Sequence, residues 1–157
     1  MSADSGLKAR IRADLTAAMK ARDTTSTGTL RMVLAAITNA EVAGETAREL
    51  TDDEIIAVLG KEAKKRHESV EIYQNAGRDE LADKESAEAR IIEAYLPAQL
   101  SDAELSQIVS AELARLAESG EAPTMKQMGI VIKAVKEKAG ARADGSRVAA
   151  AVKAALA

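Results

Sequence analysis

The sequence has no cysteine, phenylalanine or tryptophan, and its 157 residues include one histidine and two tyrosines. Without cysteine there are no disulfides, thiolate nucleophiles, iron–sulfur clusters or cysteine-ligated zinc sites. The single histidine, His67, excludes any site that needs two histidines from one chain. Because aromatic residues make up only 1% of the chain, the core must be built from Leu, Ile, Val, Met and Ala.

Long hydrophobic runs are also absent. No apolar stretch of the sequence approaches the roughly 20 residues that a membrane span requires, so no membrane partner is expected. Residues 1–8 contain no hydrophobic signal region, which predicts a cytoplasmic location. With 46% hydrophobic and 30% charged residues, the composition is that of a soluble globular protein.

The charge is unevenly distributed along the chain. The formal net charge is −3, yet residues 122–157 contain seven basic residues against two acidic ones, a local net charge of +5. A positive end on an acidic protein can attract a polyanion or an acidic partner. The same residues can equally form an ordinary solvated helix face.

Apolar residues recur at intervals of three and four, which predicts helices throughout and no strands. Turn and capping signals divide the chain into seven helices. These signals are capping boxes at 51–54, 101–104 and 124–127, Asp144 as an N-cap, and glycines at 44, 77, 120 and 140 near helix ends. Pro97 is the predicted domain boundary. The sequence therefore predicts an all-α protein with a four-helix domain over 1–97 and a three-helix domain over 98–157.

Two of the predicted helices carry charged residues on their apolar faces. Glu62 and Arg66 share the stripe of the third helix, and Glu85 and Glu88 share that of the fourth. A cluster of three glutamates is compatible with metal binding or acid–base catalysis. The alternative is a structural ion-pair network in which Arg66 neutralises the carboxylates, since a buried charge is costly unless it is paired.

Other signals for chemistry are weak. The string that begins at His67 resembles the start of a zincin helix, but Glu71 stands where the second histidine is required. No phosphate-binding glycine loop and no nucleophile elbow occurs in the sequence. The sequence therefore predicts no catalytic residue, metal or cofactor in this chain.

The carboxy-terminal region offers a basic surface. Lys126, Gly129 and Lys133 share one face of the sixth helix, and a glycine inside a helix needs a reason such as close approach by a neighbour or a ligand. The following loop places Arg142, Gly145 and Arg147 around a helix amino terminus, which is a possible phosphate seat. Asp144 argues for the alternative, because an N-cap aspartate occupies those amides itself. With two tyrosines as the only aromatics, any RNA partner must be structured RNA recognised by shape and backbone contacts.

The chain resembles the YqeY-like family, and its carboxy-terminal part is similar to the tail domain of the B subunit of aspartyl/glutamyl-tRNA amidotransferase. The resemblance covers nearly the whole chain. It rests on the strings at 29–37 (TLRMVLAAI), 50–54 (LTDDE), 61–69 (KEAKKRHES), 73–78 (YQNAGR), 95–101 (YLPAQLS), 128–129 (MG) and 142–145 (RADG). The family usually has a glycine directly before the last string, whereas this chain has Ala141, with Gly140 one position earlier.

The resemblance implies an all-helical accessory protein that binds tRNA, or a tRNA-dependent amidotransferase or aminoacyl-tRNA synthetase, through its basic tail. It maps the RNA-binding surface onto Lys126, Gly129, Lys133, Arg142 and Gly145. A label of carbon–nitrogen ligase with glutamine as amido donor would be inherited from the larger enzyme, because the catalytic domain of that subunit is not represented here. The alternative from a different class is a helical protein–protein adaptor that docks through the alanine-rich seventh helix.

Overall fold

The computed structural model describes residues 6–120 and 122–157, and within them the protein is all-α, as predicted. Seven α-helices and two short 3₁₀ turns account for the regular structure of these residues. The helices are α1 (Leu7–Lys20), α2 (Thr24–Glu41), α3 (Asp52–Asn75), α4 (Asp79–Glu93), α5 (Asp102–Glu118), α6 (Met128–Ala139) and α7 (Gly145–Leu156), and the 3₁₀ turns span Met125–Gln127 and Gly140–Arg142.

The chain divides into two compact units on either side of the Leu96–Pro97 peptide bond. The first unit contains α1 to α4 and the second contains α5 to α7. That each unit folds by itself as a domain stays a prediction.

In the first unit, α3 and α4 form a tightly packed hairpin. The turn between them uses Gly77 with a φ of 72°, a left-handed conformation that favours glycine. The capping box predicted at the start of α3 is confirmed, because Thr51 and Glu54 exchange side-chain and backbone hydrogen bonds. The core of this unit is aliphatic and consists of Ile11, Leu30, Val33, Ile37, Ile55, Leu59, Ala63 and Ile92.

In the second unit, α5, α6 and α7 pack around a core of valine, leucine and alanine side chains. The capping box at Ser101 and Glu104 is confirmed at the start of α5. The third predicted capping box also forms, but Thr124 and Gln127 open a 3₁₀ turn, and α6 begins only at Met128. Such a turn commonly leads into an α-helix, so the difference is one of local winding.

Within the described residues, no helix is both long enough and apolar enough to cross a membrane.

Candidate functional site

The exposed face of α6 brings together the lysines that the sequence placed near Gly129. At about 100° per residue, Gly129, Lys133 and Lys136 lie within an arc of about 60°, and Lys126 precedes them in the 3₁₀ turn. All four residues are exposed. Lys126 and Lys133 form no ion pair with any residue that the structure describes. Their ammonium groups therefore remain available to a partner.

Gly129 has open space around it. A Cβ atom placed on this glycine would meet no neighbouring side chain or backbone atom of the described residues within 4 Å. Packing against another helix of the second unit is thus not the reason for the glycine. The backbone of α6 is therefore accessible at Gly129, close to the exposed Lys126, Lys133 and Lys136.

The guanidinium group of Arg142 donates hydrogen bonds to backbone carbonyl oxygens of its own chain. Its Nη2 atom donates to the carbonyl oxygen of Lys138 at 2.9 Å, and its Nε atom donates to that of Ala139 at 3.2 Å. These carbonyls lie at the carboxyl end of α6, where the helix leaves acceptors without intrahelical partners. The guanidinium group satisfies them, although the side chain is otherwise exposed.

Arg147 is held in the same way. Its Nη2 atom donates to the carbonyl oxygen of Leu100 at 2.8 Å and to the carboxylate of Asp102 at 3.0 Å. Arg142 and Arg147, which the sequence places around a possible phosphate site, thus both donate to oxygens of their own chain. The loop between α6 and α7 is thereby tied to the segment that precedes α5.

Asp144 and the glycines set the shape of this loop. The Asp144 carboxylate accepts hydrogen bonds from the backbone N–H of Arg147 and the hydroxyl of Ser146, which confirms its capping role. Gly140, the first residue of the second 3₁₀ turn, adopts a φ of 58°, a conformation that favours glycine. A Cβ atom on Gly145 would lie 3.3 Å from the Nζ atom of Lys136, so the lysine lies over the start of α7.

The charged residues on the apolar faces of α3 and α4 meet in the first unit. Arg66 is 8% exposed and Glu88 is 7% exposed. The Arg66 Nη1 atom donates to a Glu62 carboxylate oxygen at 3.0 Å, and its Nε atom lies 3.7 Å from Glu88. Burial acts to raise the pKa of Glu62, but hydrogen bonds from Lys65 and Arg66 outweigh it and lower the pKa.

Glu85 does not join this group. It is half-buried and forms no ion pair or side-chain hydrogen bond in the part of the chain that the structure describes. The ion-pair group therefore consists of Glu62, Arg66 and Glu88, with Lys65 at its edge. Among the described residues, no group of three carboxylate or imidazole side chains is placed to hold a metal ion.

His67 has a different partner from the one that its sequence neighbours suggest. Its Nε2 atom lies 2.8 Å from a carboxylate oxygen of Glu93 on α4, rather than pairing with Glu71 one turn along α3. The contact is exposed and joins the two helices of the hairpin. The α3–α4 hairpin is therefore linked by this exposed contact as well as by the buried ion pair of Arg66 and Glu88.

Two polar contacts escape sequence reasoning. Glu112 is 4% exposed and accepts a hydrogen bond from Arg115 at 2.8 Å. Glu112 lies three residues after Val109, on the buried stripe of α5, so the helical periodicity of the sequence could have predicted its burial. The hydrogen bond from the Tyr95 hydroxyl to Asp14, 81 residues away, has no such signal. Burial and this carboxylate raise the pKa of Tyr95.

Comparison with known proteins gives a match over almost the whole chain. The family model described as "Yqey-like protein" matches residues 8–156. A relative from Pyrenophora tritici-repentis, named "Altered inheritance of mitochondria protein 41, mitochondrial", is 30% identical over 134 residues, covering 83% of this chain and 71% of the relative. Relatives of the same name from Meyerozyma guilliermondii and Clavispora lusitaniae are 34% and 37% identical, covering 81% and 57% of this chain.

The matched region is about two thirds of the Meyerozyma protein and about half of the Clavispora protein. These relatives carry "mitochondrial" in their names, which contradicts the predicted cytoplasmic location. The prediction was wrong because it rested on the lack of a hydrophobic signal region. Mitochondrial transit peptides are amphipathic and arginine-rich, so the absence of a hydrophobic run does not separate the two locations.

Proposed function

Because the chain belongs to the YqeY-like family, we propose that it is an accessory protein that binds tRNA through the exposed face of α6. The proposed contact consists of Lys126, Lys133 and Lys136 around the open backbone of Gly129, a set that we call the lysine face. The protein acts by binding, without a reaction of its own. The RNA would bring this chain to a tRNA-dependent amidotransferase or aminoacyl-tRNA synthetase.

The observation that carries this proposal is the contrast between the basic residues of the second unit. The two arginines of the loop donate to carbonyl oxygens of their own chain, whereas Lys126 and Lys133 have exposed ammonium groups without ion pairs among the described residues. Lysine is a flexible point charge that suits phosphate contacts independent of base sequence. A row of lysines on one helix face is therefore suited to a structured RNA backbone.

Gly129 supports the same interpretation. Where a side chain would hold a ligand away, a glycine allows a sugar–phosphate backbone to approach the helix itself. No described neighbour fills this space, so it is open to a ligand from solution. The combination of an open helix backbone with lysines on the same arc favours a rigid, negatively charged partner.

The test is the affinity of the full chain for bulk tRNA, measured by fluorescence anisotropy at low salt. We expect a Lys126→Glu/Lys133→Glu variant to lose at least tenfold in affinity, because two favourable phosphate contacts become repulsive. The matched control is Lys61→Glu/Lys64→Glu, which makes the same charge change at two exposed positions of α3. Equal losses in both variants, or no binding by the parent protein, would refute the proposed interface.

A second candidate function, protein–protein adaptor, is favoured by a groove between α5 and α7. Small side chains on α7 leave it open, and its lining residues are Asp102, Leu105, Ser106, Arg147, Ala150, Ala151, Ala154 and Ala155. Alanine stripes of this kind accept a partner helix at close distance. Binding of a purified amidotransferase that Ala154→Arg abolishes and Lys126→Glu/Lys133→Glu leaves intact would favour the adaptor over the RNA-binding function.

A further inference from the structure

A methionine and a buried arginine are in contact in the first unit. The Sδ atom of Met32 on α2 lies 3.6 Å from the Nη2 atom of Arg66 on α3. Met32 is 42% exposed, whereas Arg66 is buried. An oxidant in solution can therefore reach a residue that touches the guanidinium group holding the α3–α4 hairpin together.

The three nitrogen atoms of the Arg66 guanidinium group differ in the acceptors that they meet. Its Nη1 atom donates to the backbone carbonyl and to a carboxylate oxygen of Glu62, at 3.2 and 3.0 Å. Its Nε atom is buried without a hydrogen-bond partner, because the nearest Glu88 oxygen is 3.7 Å away. The Nη2 atom faces the thioether sulfur of Met32, which is a weak acceptor. The buried guanidinium thus lacks a strong acceptor on the side that faces Met32.

We propose that Met32 is an oxidation site whose sulfoxide binds Arg66 and strengthens the packing of α2 on α3. In the reaction with hydrogen peroxide, the sulfur attacks one peroxide oxygen, an S–O bond forms and the O–O bond breaks. The sulfur loses two electrons, and the departing hydroxide takes the proton from the oxygen now bound to sulfur. The products are the sulfoxide and one water molecule, which carries both protons of the peroxide. The sulfoxide oxygen then accepts from the Arg66 Nη2 atom.

Oxidation of Met32 is expected to change the stability of the protein in the opposite direction from most methionine oxidations. Oxidation of a methionine normally disrupts packing, because a polar group is placed among apolar ones. Here the sulfur is partly exposed and the new oxygen meets a donor, Arg66 Nη2, whose present acceptor is a thioether sulfur. A weak contact is therefore replaced by a charge-assisted hydrogen bond. Oxidation of Met32 therefore stabilises the first unit.

A second methionine provides the matched control. The Sδ atom of Met19 lies 3.9 Å from the Nη2 atom of Arg31, but both residues are exposed. The guanidinium group of Arg31 is hydrated already and gains little from a sulfoxide. Oxidation of Met19 is thus expected to leave stability unchanged.

The experiment follows thermal unfolding of the full chain by tyrosine fluorescence. Tyr73 and Tyr95, which are the only aromatic residues, lie before Pro97, so the signal reports on the first unit. Peptide mass spectrometry after treatment with hydrogen peroxide identifies which methionines carry oxygen. The proteins compared are the parent, Met19→Leu, Met32→Leu and Met32→Gln, where glutamine supplies a fixed amide oxygen in place of the sulfoxide.

We expect peroxide to raise the melting temperature of the parent and of Met19→Leu by about 2–4 °C and to leave that of Met32→Leu unchanged. Untreated Met32→Gln should melt above Met32→Leu by a similar margin. The proposal is overturned if Met32 resists peroxide while Met19 is oxidised. It is also overturned if oxidised Met19→Leu melts no higher than the untreated protein, or if the glutamine variant melts no higher than the leucine variant.

Discussion

Arg147 of α7 donates a hydrogen bond of 2.8 Å to the carbonyl oxygen of Leu100, which lies just before α5. The same segment is bound again when the Leu100 N–H donates to the carbonyl oxygen of Arg142, also at 2.8 Å. The loop before α7 therefore holds the second unit together. Near this loop, Arg142 and Arg147 satisfy carbonyl oxygens of the chain, whereas Lys126 and Lys133 remain exposed for a partner.

The first prediction concerns this link. Arg147→Leu leaves the Leu100 carbonyl without its donor, so we expect a loss of about 1 kcal/mol in the stability of the second unit. Asp102→Asn is the control and should change stability by less than about 0.5 kcal/mol, because the Asp102 side chain is almost fully exposed. Hydrogen exchange of the α6 backbone amides measures both effects. An Arg147→Leu protein with unchanged exchange would contradict the structural role.

The second prediction concerns Arg66. Arg66→Leu leaves Glu62 and Glu88 with less than a fifth of their side chains exposed and without their shared cation. We expect the first unit to lose about 3 kcal/mol, measured by urea unfolding with tyrosine fluorescence. Adding Glu88→Leu should restore part of the loss, because the buried charge is then removed along with its partner. A double variant as unstable as Arg66→Leu would show that the carboxylate is not the cause.

The third prediction is a pH dependence at the start of α3. A hydrogen bond from Arg48, followed by one from the Thr51 backbone, lowers the pKa of Glu54 from 4.5 to about 2. Since the folded-state pKa is the lower one, the stabilisation from ionised Glu54 is fully present above pH 4.5 and is lost as the pH falls towards about 2.

Urea midpoints of the parent and Glu54→Gln test this dependence. The difference between the two proteins should be constant above pH 4.5 and should shrink below it, vanishing near pH 2. In an Arg48→Gln background, the stability difference between the Glu54 and Glu54→Gln proteins should change over a narrower range of pH. A difference that does not vary below pH 4.5 would mean that the carboxylate and Arg48 do not interact.

The fourth prediction separates stability from binding at Gly129. Because a Cβ atom there has open space and the backbone is helical, Gly129→Ala should stabilise the second unit by up to about 1 kcal/mol. The same change should weaken tRNA binding, since the added methyl group keeps the RNA backbone from the helix. Thermal unfolding by circular dichroism and tRNA anisotropy, measured on one preparation, give the two results. Destabilisation would indicate a packing contact at this glycine.

The sequence was a good guide to the helices and a poorer one to the polar contacts. Capping boxes at Thr51 and Ser101 are local, because donor and acceptor lie three residues apart, and their positions could be predicted from spacing. Periodicity also placed Arg66 on the buried face of α3. These features depend on interactions within one or two turns of helix.

Contacts between distant segments were not accessible in this way. The sequence places Arg147 near a possible phosphate site, but the carbonyl oxygen that it satisfies belongs to Leu100, 47 residues away. The same applies to Glu85, which shares a stripe with Glu88 yet forms no ion pair with Arg66. A helical period fixes the face of a residue, whereas the length and direction of its side chain decide which partner it meets.

The most direct test of the RNA-binding account is the salt dependence of tRNA affinity. The logarithm of the binding constant should fall linearly with the logarithm of the salt concentration between about 50 and 200 mM. The slope should decrease by about 2 in Lys126→Gln/Lys133→Gln, one phosphate contact for each lysine, and should stay unchanged in Lys61→Gln/Lys64→Gln. An affinity that does not vary with salt, or equal slopes in the parent and the α6 variant, would contradict the account.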